Sequence, residues 1–250
     1  MRVLVFQHIR AEHPGIFRDF FAADGVAWDA VELDEGEPIP PLANYDALVV
    51  MGGPMDVWET DQHPWLLPEK AAIREAVRER RMPYLGLCLG HQLLADALGG
   101  RCSMMQQPEI GVLGIELTAA AASDRLFRGV APRGKALQWH SVEVVETPKD
   151  GVILARSPDC ANEAMRVGEH AWGIQYHVEI TGETVPQWGC IPEYATALEK
   201  RLGQGSLPAL EQAAREQLPA MRATAKRLYD NFKAAVEASA GARRPARVAE

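Results

Sequence analysis

Tyr84-Leu85-Gly86-Leu87-Cys88-Leu89-Gly90-His91-Gln92 is the stretch on which the reading of this 250-residue chain turns. A short apolar run ends in Gly-x-Cys-x-Gly, and a helix-compatible segment, 92–98, follows at once. This pattern predicts a strand-to-helix turn so sharp that its central residue is held in a strained backbone conformation. Glycines two positions to either side leave space that a Cβ would fill against the adjoining strand and helix. The turn places the Cys88 sulfur at a helix N-terminus, where unpaired N–H groups and the helix dipole favour a thiolate. An isolated cysteine is ordinarily buried and inert. The flanking glycines argue for a nucleophile instead.

Upstream of this turn, apolar runs at 3–6, 28–33 and 47–51 read as strands buried on both faces, as 84–87 does. Helices are expected between them over 16–23 and from Trp65 to the neighbourhood of Arg81. Alternation at this spacing predicts a mainly parallel sheet covered on both faces. In such sheets sites form at the C-terminal ends of strands, and Gly52-Gly53 and Cys88 both stand there. Downstream, 111–118, 136–145, 152–155, 164–167 and 171–176 are strand-like with short turns, which suggests added antiparallel strands. From Pro192 the chain turns helical. Leu210, Ala214, Leu218, Met221, Ala225, Leu228, Phe232 and Val236 form one apolar stripe, expected to pack on the chain's own domain. Pro219 should break or restart that helix. The organisation expected is a domain over 1–190, a helical extension over 191–240 packed on it, and a disordered tail over 241–250.

A formal charge of −8 argues against nucleic acid as a main partner, since phosphate binding needs a basic surface. No apolar stretch approaches the length of a membrane span, and the first residues read as a strand, not a signal peptide. Cys88, Cys102, Cys160 and Cys190 show no paired spacing, so neither a disulfide framework nor a zinc site is expected. A cytoplasmic protein fits best.

A cysteine nucleophile needs a base, and the base needs a group to orient it. His177-Val178-Glu179 offers both: two residues apart on extended backbone, the side chains turn to one face. There the carboxylate fixes the imidazole tautomer and stabilises the imidazolium. His-x-Glu alone is weak, but this one lies just beyond an apolar strand, as Cys88 does. His140 sits on a strand with no acidic residue two positions away, and His91, His63 and His170 also lack the setting. Donors for an oxyanion are the N–H of Leu89, directly after the cysteine, and that of Gly53. Gly129-x-x-x-x-Gly134-Lys135 imitates a phosphate loop, but Ala136 replaces the needed hydroxyl and Pro132 lies inside it. His8 and His13 have no ligand spacing suggesting a metal.

Together these pieces resemble the class I glutamine amidotransferases, whose pattern stands here as Gly52-Gly53-Pro54, Gly86-Leu87-Cys88-Leu89-Gly90-His91-Gln92 and His177-Val178-Glu179. The likeness covers residues 1 to 190 approximately. Gln7-His8, Glu12, Pro14-Gly15 and Gln138-Trp139-His140 are similar to its stand-alone, GMP-synthase-like branch. The resemblance implies a flavodoxin-like three-layer α/β fold. It implies Cys88 as nucleophile, His177 as base and acid, Glu179 as its orienter, and Gly53 and Leu89 as oxyanion donors. Gln92 would hold the glutamyl group, with backbone contacts from Ser141 and Val142. The substrate is glutamine or another γ-glutamyl compound, and no metal or organic cofactor is required. The chain departs from the family in having Val178 where proline is common and Val142 where many relatives are acidic. No synthetase domain follows either, so ammonia goes to a separate synthetase subunit or the reaction is plain γ-glutamyl hydrolysis. A γ-glutamyl conjugate hydrolase with the same triad, and a non-catalytic binding domain of the same fold, are the alternative readings.

Overall fold

A computed structural model describes residues 1–243. Strands β1 (Arg2–Gln7), β2 (Ala27–Glu32), β3 (Ala47–Val50) and β4 (Tyr84–Leu87) alternate with helices α1 (Phe17–Asp24), α2 (Leu66–Arg74) and α3 (Leu89–Ala97). The second half supplies β5 (Arg101–Leu117), β6 (Arg133–Glu146), β7 (Gly151–Arg156), β8 (Ala164–Val167) and β9 (Ala171–Ile174). It ends in helices α4 (Thr184–Trp188), α5 (Pro192–Leu202) and α6 (Leu207–Arg243). The described strands form one sheet in the order β2-β1-β3-β4-β9-β8-β7-β5-β6.

Alternation along β1 shows how the layers are built. Val3 and Val5 face a core shared with Phe17, Phe20 and Phe21 of α1 and Leu228 and Phe232 of α6. Leu4 and Phe6 face the opposite core, with Leu66 and Ile73 of α2 and Leu93 and Leu94 of α3. A strand buried on both sides needs apolar residues at successive positions, hence the continuous runs. Helices therefore cover both faces, as expected. The expectation of a mainly parallel sheet needs correction. Pairing is parallel across β2-β1-β3-β4-β9 but antiparallel from β9 through β8, β7 and β5 to β6, and the long β5–β6 hairpin makes the antiparallel part the larger. Only the first part has helical crossovers between its strands. The connections β6–β7, β7–β8 and β8–β9 are too short to return a strand in parallel, and the longer β5–β6 connection closes a hairpin.

Two helices also differ from expectation. α2 widens into a π-helical turn over Glu75–Glu79 before the chain reaches Met82, instead of running on as α-helix. α6 passes Pro219 without a break. Proline removes one backbone hydrogen bond and crowds the preceding turn. Here Pro219 is exposed, so the carbonyl left without a donor lies on the solvent side. The buried stripe continues on both sides of it: Leu210, Ala214 and Met221 enter one core, and Ala225, Leu228, Phe232 and Val236 another, with Leu218 packed at the edge. Tyr229 donates its hydroxyl to the Phe20 carbonyl (3.2 Å) and Asp24 (2.9 Å), fastening α6 to α1. The tail expected from residue 241 is helical as far as Arg243, and its remainder lies outside the described residues. Among the described residues no helix is long and apolar enough to cross a membrane. Replacing the exposed proline, Pro219→Ala, should raise the stability measured by urea unfolding by about 2 kcal/mol, the helix-interior penalty less the lost restraint on the unfolded chain. An unchanged midpoint would show that α6 bears no such cost.

Candidate functional site

The C-terminal ends of β1, β3, β4 and β9 lie in neighbouring positions of the parallel half, and each delivers one part of a buried site. Cys88 follows β4 with φ 49° and ψ −105°, a strained conformation for a residue that carries a Cβ. Its N–H bonds the Ile174 carbonyl of β9 (2.8 Å), and the Gly90 N–H bonds the Met51 carbonyl after β3 (3.1 Å). The elbow is thus stitched to both neighbours. A Cβ on Gly86 would lie 2.3 Å from the Gly90 carbonyl oxygen, and one on Gly90 would lie 2.3 Å from that of Val50. No side chain fits at either position. The N–H of Leu89, first residue of α3, is one of the helix-start donors with no partner within the helix.

Beyond β9 the chain makes a single bridge to β6, the His177 N–H donating to the Leu137 carbonyl (2.9 Å). His177 Nδ1 then meets Glu179 Oε1 at 2.8 Å, the pair expected from the two-residue spacing. Both are almost fully buried, 1% and 2% exposed. Trp188 of α4 packs edge-on against the imidazole, ring centres 4.4 Å apart. Burial works to lower the His177 pKa, but Glu179 and the Cys88 sulfur together raise it well above the usual histidine value. At Cys88 burial pushes the thiol pKa up, His177 opposes this, and Glu12 and Glu179 add to it. Cysteine and histidine are therefore electrically coupled, as a proton-exchanging pair must be.

A cavity of about 100 Å³ opens beside the sulfur. Gly53, Cys88, Gln92, Ser141 and Val142 line it, so most residues singled out in the sequence meet in one place. His177 and Glu179 sit outside its lining. Gln92 donates from its amide to Gln175 Oε1 (3.1 Å) and the Val142 carbonyl (3.3 Å), and the Gln175 amide faces the Cys88 sulfur at 3.6 Å. The turn at Gly53 is supported by His8, whose Nδ1 donates to the Gly52 carbonyl (2.8 Å) while Nε2 meets Glu69 Oε1 (2.9 Å). Burial disfavours a charged His8, but Glu69 outweighs it and the pKa is raised.

Several contributors had no role assigned from the sequence. Glu12, from the β1–α1 loop, is buried and accepts a hydrogen bond from the Tyr194 hydroxyl of α5. A Cβ on Gly15 would overlap the Glu179 carbonyl oxygen at 1.8 Å, and the Ile16 N–H bonds that oxygen (2.7 Å), so Pro14-Gly15 fixes the acidic residue in place. His140 has no acidic residue two positions away, yet acidic partners reach it from elsewhere. Its Nδ1 donates to the Val142 carbonyl (3.0 Å), and its Nε2 faces Glu109 at 3.3 Å and Glu163 at 3.9 Å, from other parts of the chain. Spacing along one strand could not reveal a partner across the sheet. Glu12-His177-Glu179 and Glu109-His140-Glu163 each bring three ligand-type atoms within 4.8 Å of one another, so each has the donor types to hold a cation. Cys88, Cys102, Cys160 and Cys190 are free thiols.

The chain is similar to known proteins over most of its length. The family model for glutamine amidotransferase class-I matches residues 21–186. The chain is 31% identical over 153 residues to a glutamine-hydrolysing GMP synthase subunit of Sulfolobus acidocaldarius, covering 61% of this chain and 77% of that one. It is 32% identical over 191 residues to the glutamine amidotransferase-like protein YfeJ of Salmonella typhimurium, covering 74% and 78%. A solved glutamine amidotransferase from Thermotoga maritima superposes with a TM-score of 0.83 at 27% identity, over 95% of this chain and 98% of that one. One from Methylobacillus flagellatus gives 0.82 at 26%, over 100% and 98%.

The second acidic cluster generates a prediction about stability. Burial, reinforced by Glu109, drives the Glu163 pKa well above the usual carboxylate value. Unfolding at neutral pH therefore releases its proton, and the folded state loses stability as pH rises from the unfolded value of about 4.3 towards the folded one. Glu163→Gln removes that loss while keeping an oxygen for the Gln138 amide (2.6 Å). The stability difference between Glu163→Gln and wild type should grow in the variant's favour between about pH 5 and 8, read from urea midpoints. A pH-independent difference would contradict a protonated Glu163.

Proposed function

The chain belongs to the class I glutamine amidotransferase family, and from that we propose that it hydrolyses the γ-carboxamide of glutamine through a thioester on Cys88. The observation that carries the reading is the His177–Glu179 pair, buried and coupled to a cysteine on a strained strand-to-helix turn. His177 takes the Cys88 proton, and the thiolate attacks the γ-carbon. The carbonyl oxygen gains negative charge, and the N–H groups of Gly53 and Leu89 are the donors for it. The imidazolium returns its proton to the nitrogen as the C–N bond breaks, releasing ammonia and leaving the γ-glutamyl thioester. Water, deprotonated by His177, then attacks the thioester carbon, glutamate departs, and the thiol is restored. Glu179 holds the imidazole by Nδ1, leaving Nε2 for the sulfur. Gln92, Ser141 and Val142, which line the cavity, contact the glutamyl group. No step calls for a metal or organic cofactor.

The likeness to proteins named as GMP synthase subunits favours a separate synthetase to receive the ammonia. Purified protein given glutamine should release ammonia and glutamate in equal amounts. Hydroxylamine should divert the intermediate to γ-glutamyl hydroxamate. Cys88→Ser should lower turnover by at least about a thousandfold, and His177→Ala by at least about a hundredfold. Cleavage of γ-glutamyl peptides with no release from free glutamine would replace this reading by the conjugate-hydrolase one. No Cys88-dependent turnover of either would leave a binding domain.

A further inference from the structure

Glu12 takes no part in the steps above, yet it stands among the groups that do. It is 1% exposed, on a loop tied down by the Ala11 carbonyl, which accepts from Trp188 Nε1 (3.3 Å). Its Oε1 accepts from Tyr194, and its Oε2, buried and without a partner, lies against Gly52, where a Cβ would be 2.6 Å away. One carboxylate oxygen of Glu12, one of Glu179 and a ring nitrogen of His177 lie within 4.8 Å of one another. Two carboxylates this close in a dry site repel unless a proton or a cation stands between them. The cation at hand is His177, charged whenever Cys88 has given up its proton.

We propose that Glu12 is a positioning residue acting through His177: aimed by Tyr194, its carboxylate joins Glu179 in holding the imidazolium, and by like charge it restrains thiolate formation at Cys88. The proposal rests on the reading of Cys88 and His177 as the working pair. The groups facing Glu12 are His177 and Glu179 beyond β9, Tyr194 from α5, His8 after β1, and Cys88 at the elbow. Burial is the largest influence on Glu12 and lifts its pKa to about 7, with His177 and the Tyr194 hydroxyl opposing. Its charge therefore switches within the range where such a pair works. Below that range it is neutral, and a glutamine in its place changes little. Above it, the carboxylate disfavours the thiolate and favours the imidazolium.

Two rates separate this role from a structural one. Alkylation of Cys88 by iodoacetamide, without substrate, reports the thiolate; glutamine turnover also needs the imidazolium to protonate ammonia. In Glu12→Gln, alkylation should match wild type at about pH 5.5 and run about threefold faster at about pH 8. Turnover at that higher pH should fall about tenfold with KM little changed. Both rates unchanged, or both falling together, would overturn the proposal. Tyr194→Phe gives a second test should Glu12→Gln not fold. Without the hydroxyl the Glu12 pKa rises, so the inflection in the alkylation profile should move to higher pH; a superposable profile would overturn the proposal. Should wild type not turn over glutamine while the alkylation difference holds, the substrate reading fails and the role of Glu12 stands.

Discussion

A single residue held against its conformational preference organises this molecule. Cys88 adopts positive φ with a side chain attached, at a cost on the order of 1–3 kcal/mol. It stays there because the backbone around it is bound on two sides, to β9 through its own N–H and to β3 through that of Gly90. Those bonds require β3, β4 and β9 to be adjacent and parallel at this end. The continuous apolar runs of those strands, buried between α1 and α6 on one face and α2 and α3 on the other, therefore position the sulfur as surely as the elbow does.

The charges follow from the same burial. A buried site must balance ionisable groups against one another, and three histidines around the elbow are matched with acidic partners: His177 with Glu179, His8 with Glu69, His140 with Glu109. The first pair carries the proton transfers proposed for Cys88. The second holds the Gly52-Gly53 turn, and the third holds the Val142 carbonyl through Nδ1 of His140. Breaking either supporting pair would leave an uncompensated charge or an orphaned hydrogen bond beside the reacting cysteine, where small displacements of donors matter most.

What the sequence disclosed and what it withheld divide along range. Cys88 with its glycines, and His177 with Glu179, are local patterns whose chemistry dictates their spacing, so they could be read directly. The two-sided runs of β1, β3 and β4 were equally plain. The start of β5 was not: residues 101–110 mix polar and apolar types, contain Pro108, and pair through a register shift between Met104 and Glu109, so no period-two signal marks them. Whether a later strand runs parallel depends on its partner, which hydropathy does not name. Pro219 misled because the rule for helix interiors takes no account of which face the proline occupies. Glu12 and Tyr194, 182 positions apart, and His8 and Glu69, 61 apart, meet only after folding, and no spacing rule connects them.

The arrangement of Tyr194 and Trp188 has a bearing on how the protein is made. The elbow, the glycine turn and Glu12 emerge early during synthesis, but the wall they need comes from α4 and α5, and α6 must then reach back to clasp α1. A nascent chain that has displayed its thiol still lacks the aromatic cover over His177. Until translation has passed that point the sulfur has neither its base nor its cover, so the site is assembled only once residues as late as Tyr194 have folded into place.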